Sequence, residues 1–272
     1  MAAALKQDEF RRRMEDAIHG REHSSYPIVR AIYEGRATPE QVAYLGVLFY
    51  HFTKETPQVI STIHSRCPDP VIRRRIMDTL IDEDTELRCG SASHPQLALD
   101  FVTRFAGMTE DEVINHPVPS CIGNMSAFRY KVVREMHYII ALGNSGIASE
   151  SHAPEMARLI SEGLRDHYGV ADEDQESWIV HIEGDKDHSA TGFKTVLEFA
   201  TSPELQDNMF WCIDNYLTHW GNFWRECEKG AVIAPNLRRL HEARMARAQA
   251  GQMSLPRTTN ATAGGAQASP PG

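Results

Sequence analysis

The stretch PELQDNMFWCIDNYLTHWGNFWRECE, residues 203–228, decides the fold class. Met209 and Phe210, then Ile213, Leu217, Trp220 and Trp224, follow one another at three- and four-residue steps. That spacing stacks side chains on one face of an α-helix, whereas a strand would alternate every second residue. The stripe is made of large apolar groups, so it reads as the core-facing side of a long helix rather than as a cofactor box.

Working outward, the same signals recur. Helices are expected over Gln175–Thr201, Ala148–Tyr168 and Ser126–Leu142. Gly107-Met108-Thr109, with Glu112 three residues after Thr109, forms a capping box for a short helix. His94-Pro95 begins a helix carrying Leu97, Leu99, Phe101, Val102 and Phe105. Asp69-Pro70 combines a cap with proline in the first turn and launches a helix through Arg88, followed by a break over Cys89–Ser93. Thr38-Pro39 repeats that signal for a long helix to about Cys67, bent near Pro57 because proline lacks a backbone donor. Tyr26-Pro27 opens a short helix ending at Glu34-Gly35, and Phe10, Met14 and Ile18 mark an amphipathic helix from Lys6 to His19. No long alternating run occurs, and no Asn-Gly or Asp-Gly hairpin lies between strand-like segments. The consequence is an all-α helical bundle of about seven to nine helices.

The 272 residues, 42% of them hydrophobic, suffice for one substantial core. Residues 1–235 form the expected domain, and 236–272 a C-terminal extension. Beyond about 250, Ser, Thr, Gly, Pro and Ala bury too little apolar surface to offset ordering entropy, so Gly251–Gly272 is expected to be a disordered tail. A net charge of −9 argues against nucleic acid as a partner and leaves a small molecule as the expected ligand. Arg11-Arg12-Arg13 and Arg73-Arg74-Arg75 fall within amphipathic patterns and read as solvated helix faces. Cys67, Cys89, Cys121, Cys212 and Cys227 show no C-x-x-C spacing and read as reduced thiols. With no secretory leader and no run near the ~20 apolar residues of a membrane span, the chain is expected to be cytoplasmic.

The chemistry is concentrated in His181-Ile182-Glu183-Gly184-Asp185-Lys186-Asp187-His188. His181, Asp185 and His188, at i, i+4 and i+7, fall within roughly 60° of one another around a helix. Imidazole plus carboxylate suits iron or manganese better than structural zinc, which favours thiolates. His181 and His188 are about 10 Å apart along a regular helix. Two metals, or unwinding at Gly184, would accommodate that distance, and a binuclear site explains it better. Such a site also needs carboxylates and histidine from facing helices, which Glu83, His94 and Glu150 could supply. Glu83 and His94 would be about 16 Å apart on one continuous helix, so they converge only if the break at Cys89–Ser93 folds the chain back.

Tyr33-Glu34-Gly35-Arg36-Ala37-Thr38 through Phe49-Tyr50, Cys67-Pro68-Asp69, Leu80-Ile81-Asp82 and Glu150-Ser151-His152-Ala153-Pro154 resemble pyrroloquinoline-quinone synthase. That enzyme is a cofactorless oxidase of the heme-oxygenase-like fold, which it shares with thiaminase II. The order Glu83, His94, Glu150, then H-x-x-x-D-x-x-H, is instead similar to the heme-oxygenase-like di-iron oxidases and oxygenases. This resemblance implies that Glu83, His94, Glu150, His181, Asp185 and His188 bind two Fe(II) per chain, with dioxygen as co-substrate. Glu86 is the alternative first carboxylate, and Glu183, Asp187 and His152 are candidates for supporting roles. The implied reaction runs through a bridging peroxide that oxidises a small amine- or carboxylate-containing substrate, by N-oxygenation, oxidative C–C cleavage or carbon excision in specialised metabolism. Arg129 or Lys54 is a candidate anchor for a substrate carboxylate. An external electron donor and a homodimer are further expectations. The competing readings are a metal-free oxidase using the same residues as general acids and bases, and a helical scaffold that only sequesters a small molecule.

Overall fold

The structure is a computed structural model that describes residues 3–88 and 90–254. Among the described residues it consists of α-helices and short 3-10 turns, with no strand. In chain order the helices are α1 (Gln7–Ile18), α2 (Pro27–Tyr33), α3 (Pro39–Thr53), α4 (Thr56–Arg66), α5 (Pro70–Asp84), α6 (His94–Ala106) and α7 (Glu110–Ile114). There follow α8 (Ser120–Glu135), α9 (Tyr138–Gly146), α10 (Ala153–Tyr168), α11 (Glu176–Phe199), α12 (Pro203–Cys227) and α13 (Leu237–Ser254). The all-α architecture is as expected. The segments outnumber the helices read from the sequence because long runs are interrupted and short pieces count separately.

The caps explain most of the boundaries. Thr38 and Gln41 satisfy each other's backbone N–H groups at the start of α3, and Thr109 and Glu112 do the same at α7. Asp69 Oδ1 accepts from the N–H groups of Val71 and Ile72 to open α5. Pro57 does not merely bend the 38–67 run. The helix breaks at Lys54–Glu55, and Pro57 sits in the first turn of α4, where its missing N–H costs least. The Ser126–Leu142 stretch also divides, at Met136–His137, because the His137 ring caps α9 by accepting from the Ile139 N–H. Neither glycine nor proline marks that break.

α13 packs against α3, α6 and α10, so the folded chain extends past residue 235. Arg244 is buried there, donates to the Phe105 carbonyl at 2.9 Å and stacks on the Phe105 ring. The helix runs to Ser254, four residues into the stretch read as a tail, while residues 255–272 of that expectation lie outside the described residues. Of the basic runs, Arg11 and Arg12 pair with Glu15 and Asp16 at the surface, as solvated faces should. Cys67, Cys121, Cys212 and Cys227 are free thiols, and Cys89 lies outside the described residues. Among the described residues no helix is long and apolar enough to cross a membrane.

Two features position the site. The apolar face of α12 is fully buried at Met209, Ile213, Phe223 and Trp224, giving the bundle a rigid aromatic centre. α9 and α11 cross through glycines, and a Cβ placed on Gly146 would stand 3.1 Å from the Gly192 Cα. Only hydrogen fits there. That close approach draws α11 against the 3-10 turn Glu150–His152, which follows α9.

Candidate metal centre

Glu83 lies in the last turn of α5 and is 4% exposed. Thr85 then takes an extended conformation and its hydroxyl donates to the Ile81 carbonyl, which ends α5 before Arg88 and turns the chain. The return brings His94, the first residue of α6, to 3.1 Å between its Nδ1 and Glu83 Oε2. The break therefore does what convergence required. α11 remains helical through Gly184, so no unwinding reconciles His181 with His188. Instead two groups of ligand atoms form, each within 4.8 Å: Glu83, His94 and His181, and Glu83, Glu150 and His188. Glu83 belongs to both.

Asp185, 2% exposed, stands beside the second group, with Oδ1 3.9 Å from His188 Nδ1. All six residues selected from the sequence thus meet in one place. Glu86 does not join them, because it lies exposed beyond the end of α5. Glu183 and Asp187 also face outward from α11.

Neighbouring groups fix the imidazoles. His181 Nδ1–H donates to the Ser177 carbonyl at 2.6 Å, so Nε2 is the nitrogen left to face the centre. His188 Nε2 pairs with Asp82 Oδ2 at 3.0 Å. Its Nδ1 has no hydrogen-bond partner among the described residues and points between Asp185 Oδ1 and Glu150 Oε2, the latter 4.0 Å away. Ser145 Oγ donates to Glu150 Oε1 at 2.9 Å. Asp82 had drawn attention only as part of a resembling string. Its position beside Glu83 on α5 was the one available signal, and nothing local says that it reaches a histidine 106 residues away.

The electrostatics are those of a pocket with more anionic groups than it can leave ionised. Burial raises the Asp185 carboxyl well above its ordinary range, and Glu150 adds to the rise. Burial likewise raises Glu150, with Glu83 adding to it against the opposing pull of His188. Burial also works against ionised Glu83, but His94, His181 and His188 outweigh it and hold that carboxyl at about 2. Burial would lower His188, yet its bond to Asp82 and the charges of Glu150, Glu83 and Asp185 drive it up to about 10. His181 is lowered to about 4 by burial and by His94.

Divalent cations answer this arrangement. A metal bond of roughly 2 Å sets ligands of one ion about 4 Å apart or less, and the atoms of each group around Glu83, within 4.8 Å of one another, would need to draw in by less than about 1 Å. Cations would favour the ionised form of the carboxylates and take the His188 Nδ1 lone pair. Oxygen and imidazole donors without thiolate suit iron or manganese.

A small cavity of about 40 Å³ adjoins the centre, walled by Glu83, Glu150, His181 and Asp185 on one side. Phe49, Phe52, Met156 and Trp220 form apolar walls, and Thr53, Thr56, Ser149 and His23 add polar ones. Sequence reasoning passed over His23. Its Nδ1 accepts from the Trp224 indole N–H at 3.0 Å, so Nε2 carries the proton and has no hydrogen-bond partner among the described residues. His152 accepts the His23 backbone N–H and lies outside the ligand set. Arg129 and Lys54 do not line the cavity. The guanidinium is held by the Phe52 carbonyl and Thr56 Oγ1, and the Lys54 ammonium donates to His51.

Carboxylates and imidazoles converging from separate segments of a helical bundle define a class of protein, the bundle with a buried metal-binding centre. The chain belongs to the family described as iron-containing redox enzymes, whose pattern matches residues 44–221. It is 27% identical over 213 residues to 4-aminobenzoate synthase from Nitrosomonas europaea, covering 72% of this chain and 82% of that one. It is 26% identical over 209 residues to pyrroloquinoline-quinone synthase from Ruegeria pomeroyi, covering 75% and 83%. Among solved structures, a TenA homologue from Pseudomonas syringae superposes with a TM-score of 0.69 at 11% identity, over 84% of this chain and 98% of that one. A domain with a heme oxygenase-like fold from Shewanella denitrificans gives 0.64 at 14% identity, over 82% and 90%. The fold is heme-oxygenase-like, and the chain is an oxidoreductase by family.

Proposed function

We propose that the centre holds two iron ions and that the chain is a non-heme, dioxygen-dependent oxidoreductase acting on a small amine- or carboxylate-containing molecule. The observation that carries this reading is the sharing of buried Glu83 between two groups of potential ligands. Glu83, His94 and His181 would hold one ion, and Glu83, Glu150, Asp185 and His188 the other. When bound, ferrous ions supply electrons to dioxygen. The protein's own part is positional. Ser177 fixes the His181 tautomer, Asp82 holds His188, and Ser145 steadies Glu150.

Phe49, Phe52 and Trp220 give the reacting space apolar walls. Thr53, Thr56, Ser149 and the His23 Nε2–H offer hydrogen bonds to a polar substrate or to reduced oxygen. A cavity of about 40 Å³ admits dioxygen or a few waters. A larger substrate enters only as the walls part. The name of the relative 4-aminobenzoate synthase supports a substrate class carrying amine and carboxylate groups. The reaction classes proposed for this centre are N-oxygenation, oxidative C–C cleavage and carbon excision.

The test is anaerobic ferrous titration followed by rapid mixing with oxygen. The expected result is about two irons bound per chain and a transient absorbance on mixing. A chain that takes up no iron would overturn the reading.

A further inference from the structure

Trp220 stands on the cavity wall together with Glu83, Glu150, His181 and Asp185. Its ring lies 6.0 Å from that of Trp224, centroid to centroid and inclined by 23°. Trp224 lies 6.1 Å from Tyr26, inclined by 24°. Tyr26, half-buried, opens into a surface pocket of about 610 Å³ that it shares with Arg225, Glu228 and Arg21, the last paired with Asp214 at 2.7 Å. Three oxidisable rings are therefore stacked without interruption from the cavity to the surface.

Packing alone accounts for buried tryptophans on α12, but two further details concern the stack itself. The Trp224 indole N–H donates to His23 Nδ1 at 3.0 Å, which places an acceptor on the proton that becomes acidic when an indole loses an electron. The outer end is equally specific. Gly221 leaves the space into which the Tyr26 hydroxyl fits, since a Cβ there would lie 2.9 Å from that oxygen.

We propose that Tyr26, Trp224 and Trp220 form an electron path from the surface to the cavity, fed at Tyr26 by a small one-electron reductant of the ascorbate class. The proposal rests on the di-iron reading. Reduction of one dioxygen to two waters takes four electrons and four protons, of which two ferrous ions becoming ferric provide two electrons. A substrate provides the other two in productive turnover. Without substrate, the path delivers them singly. Trp220 gives up an electron and is refilled from Trp224, which is refilled from Tyr26. The tyrosine releases its phenolic proton to solvent, then regains an electron and a proton from the reductant. Two reductant molecules, each oxidised by one electron, complete the balance.

The test mixes the ferrous-loaded protein with oxygen in the absence of substrate and reads frozen samples by electron paramagnetic resonance, with iron content measured in parallel. A tyrosyl radical is expected in the unaltered chain and is erased by ascorbate. In Tyr26→Phe, with iron content unchanged, that signal is lost, an indole radical takes its place, and ascorbate no longer clears it. Peptide mass spectrometry should then show severalfold more oxygen added to Trp220 and Met156. Iron uptake with radicals and oxidation indifferent to Tyr26→Phe would overturn the path alone, whereas failure to bind iron would remove the di-iron reading and the path's use with it. An arm independent of iron uses metal-free protein carrying a ruthenium photo-oxidant tethered at Ser25→Cys. In the Tyr26→Phe background, flash illumination should yield an indole radical that disappears when Trp220 and Trp224 are both phenylalanine, and persistence of the full signal there would count against the path.

Discussion

α11 and α12 are long helices that both bury apolar residues in the core, Trp178 and Val196 among those of α11, but α11 buries ionisable groups as well. α12 sets Met209, Ile213, Trp220 and Trp224 inward, while α11 sets Asp185 and His188 inward among two further acids. The apolar face gains free energy from every contact it makes. The polar face is tolerable only because each group leans on another, and burial raises the Glu150 and Asp185 carboxyls above their ordinary range. One face maintains the fold, and the other gathers buried ionisable groups whose charge the proposed metal pair would balance.

The sharpest break in this contrast is Glu83→Ala. Because Glu83 is common to both ligand groups, bound iron should fall from two to near none and oxygen consumption by more than about 1000-fold, beyond the 10–100-fold typical of a supporting residue. His188→Ala should lose only one iron, and equal losses in the two variants would end the shared-ligand picture. On the other face, Trp224→Ala should cost about 3–5 kcal/mol in denaturant unfolding, with iron per folded chain little changed.

Asp82→Asn tests whether α5 orients His188 from behind. Iron affinity at that half of the centre should fall by roughly 10–100-fold, measured by competition with a chelator. Asp185→Asn separates the faces by sign. Removing a buried ionisable carboxyl should abolish binding of one iron yet raise the stability of the metal-free chain by about 1–2 kcal/mol. A lower melting temperature for that metal-free variant would mean that the acids are structural.

The smallest effect is one of pH. Burial lowers His23 well below its usual range and, with Lys54 nearby, lowers His51 to about 4. Below about pH 6.5 the unfolded chain binds these protons while the folded chain does not. Stability should therefore be level above that pH and decline as pH falls towards 4, by about 1.4 kcal/mol per unit at most for each histidine. Thermal melts of His51→Gln should show a shallower decline.

Much of this was legible along the chain. Thr38, Asp69 and Thr109 announced their helices because a cap acts on a backbone N–H only two or three residues away. The i, i+4, i+7 spacing of His181, Asp185 and His188 is equally local. The division of α8 from α9 was not legible, since His137 is an uncommon cap. α13 carries too weak an apolar stripe to announce itself, and its anchor is the distant Phe105 carbonyl.

By itself the sequence determined most of the helices and their apolar faces, because periods and caps operate within a turn or two, and it offered six candidate ligands whose grouping rested on the resemblance. Only the tertiary structure decided that Glu83 is shared, that Asp82 backs His188, and that His23 meets Trp224 across 201 residues. Those relations depend on where helices cross. The crossing in turn is set by shape, as where Gly146 and Gly192 let α9 and α11 approach until Glu150 and His188 share one pocket.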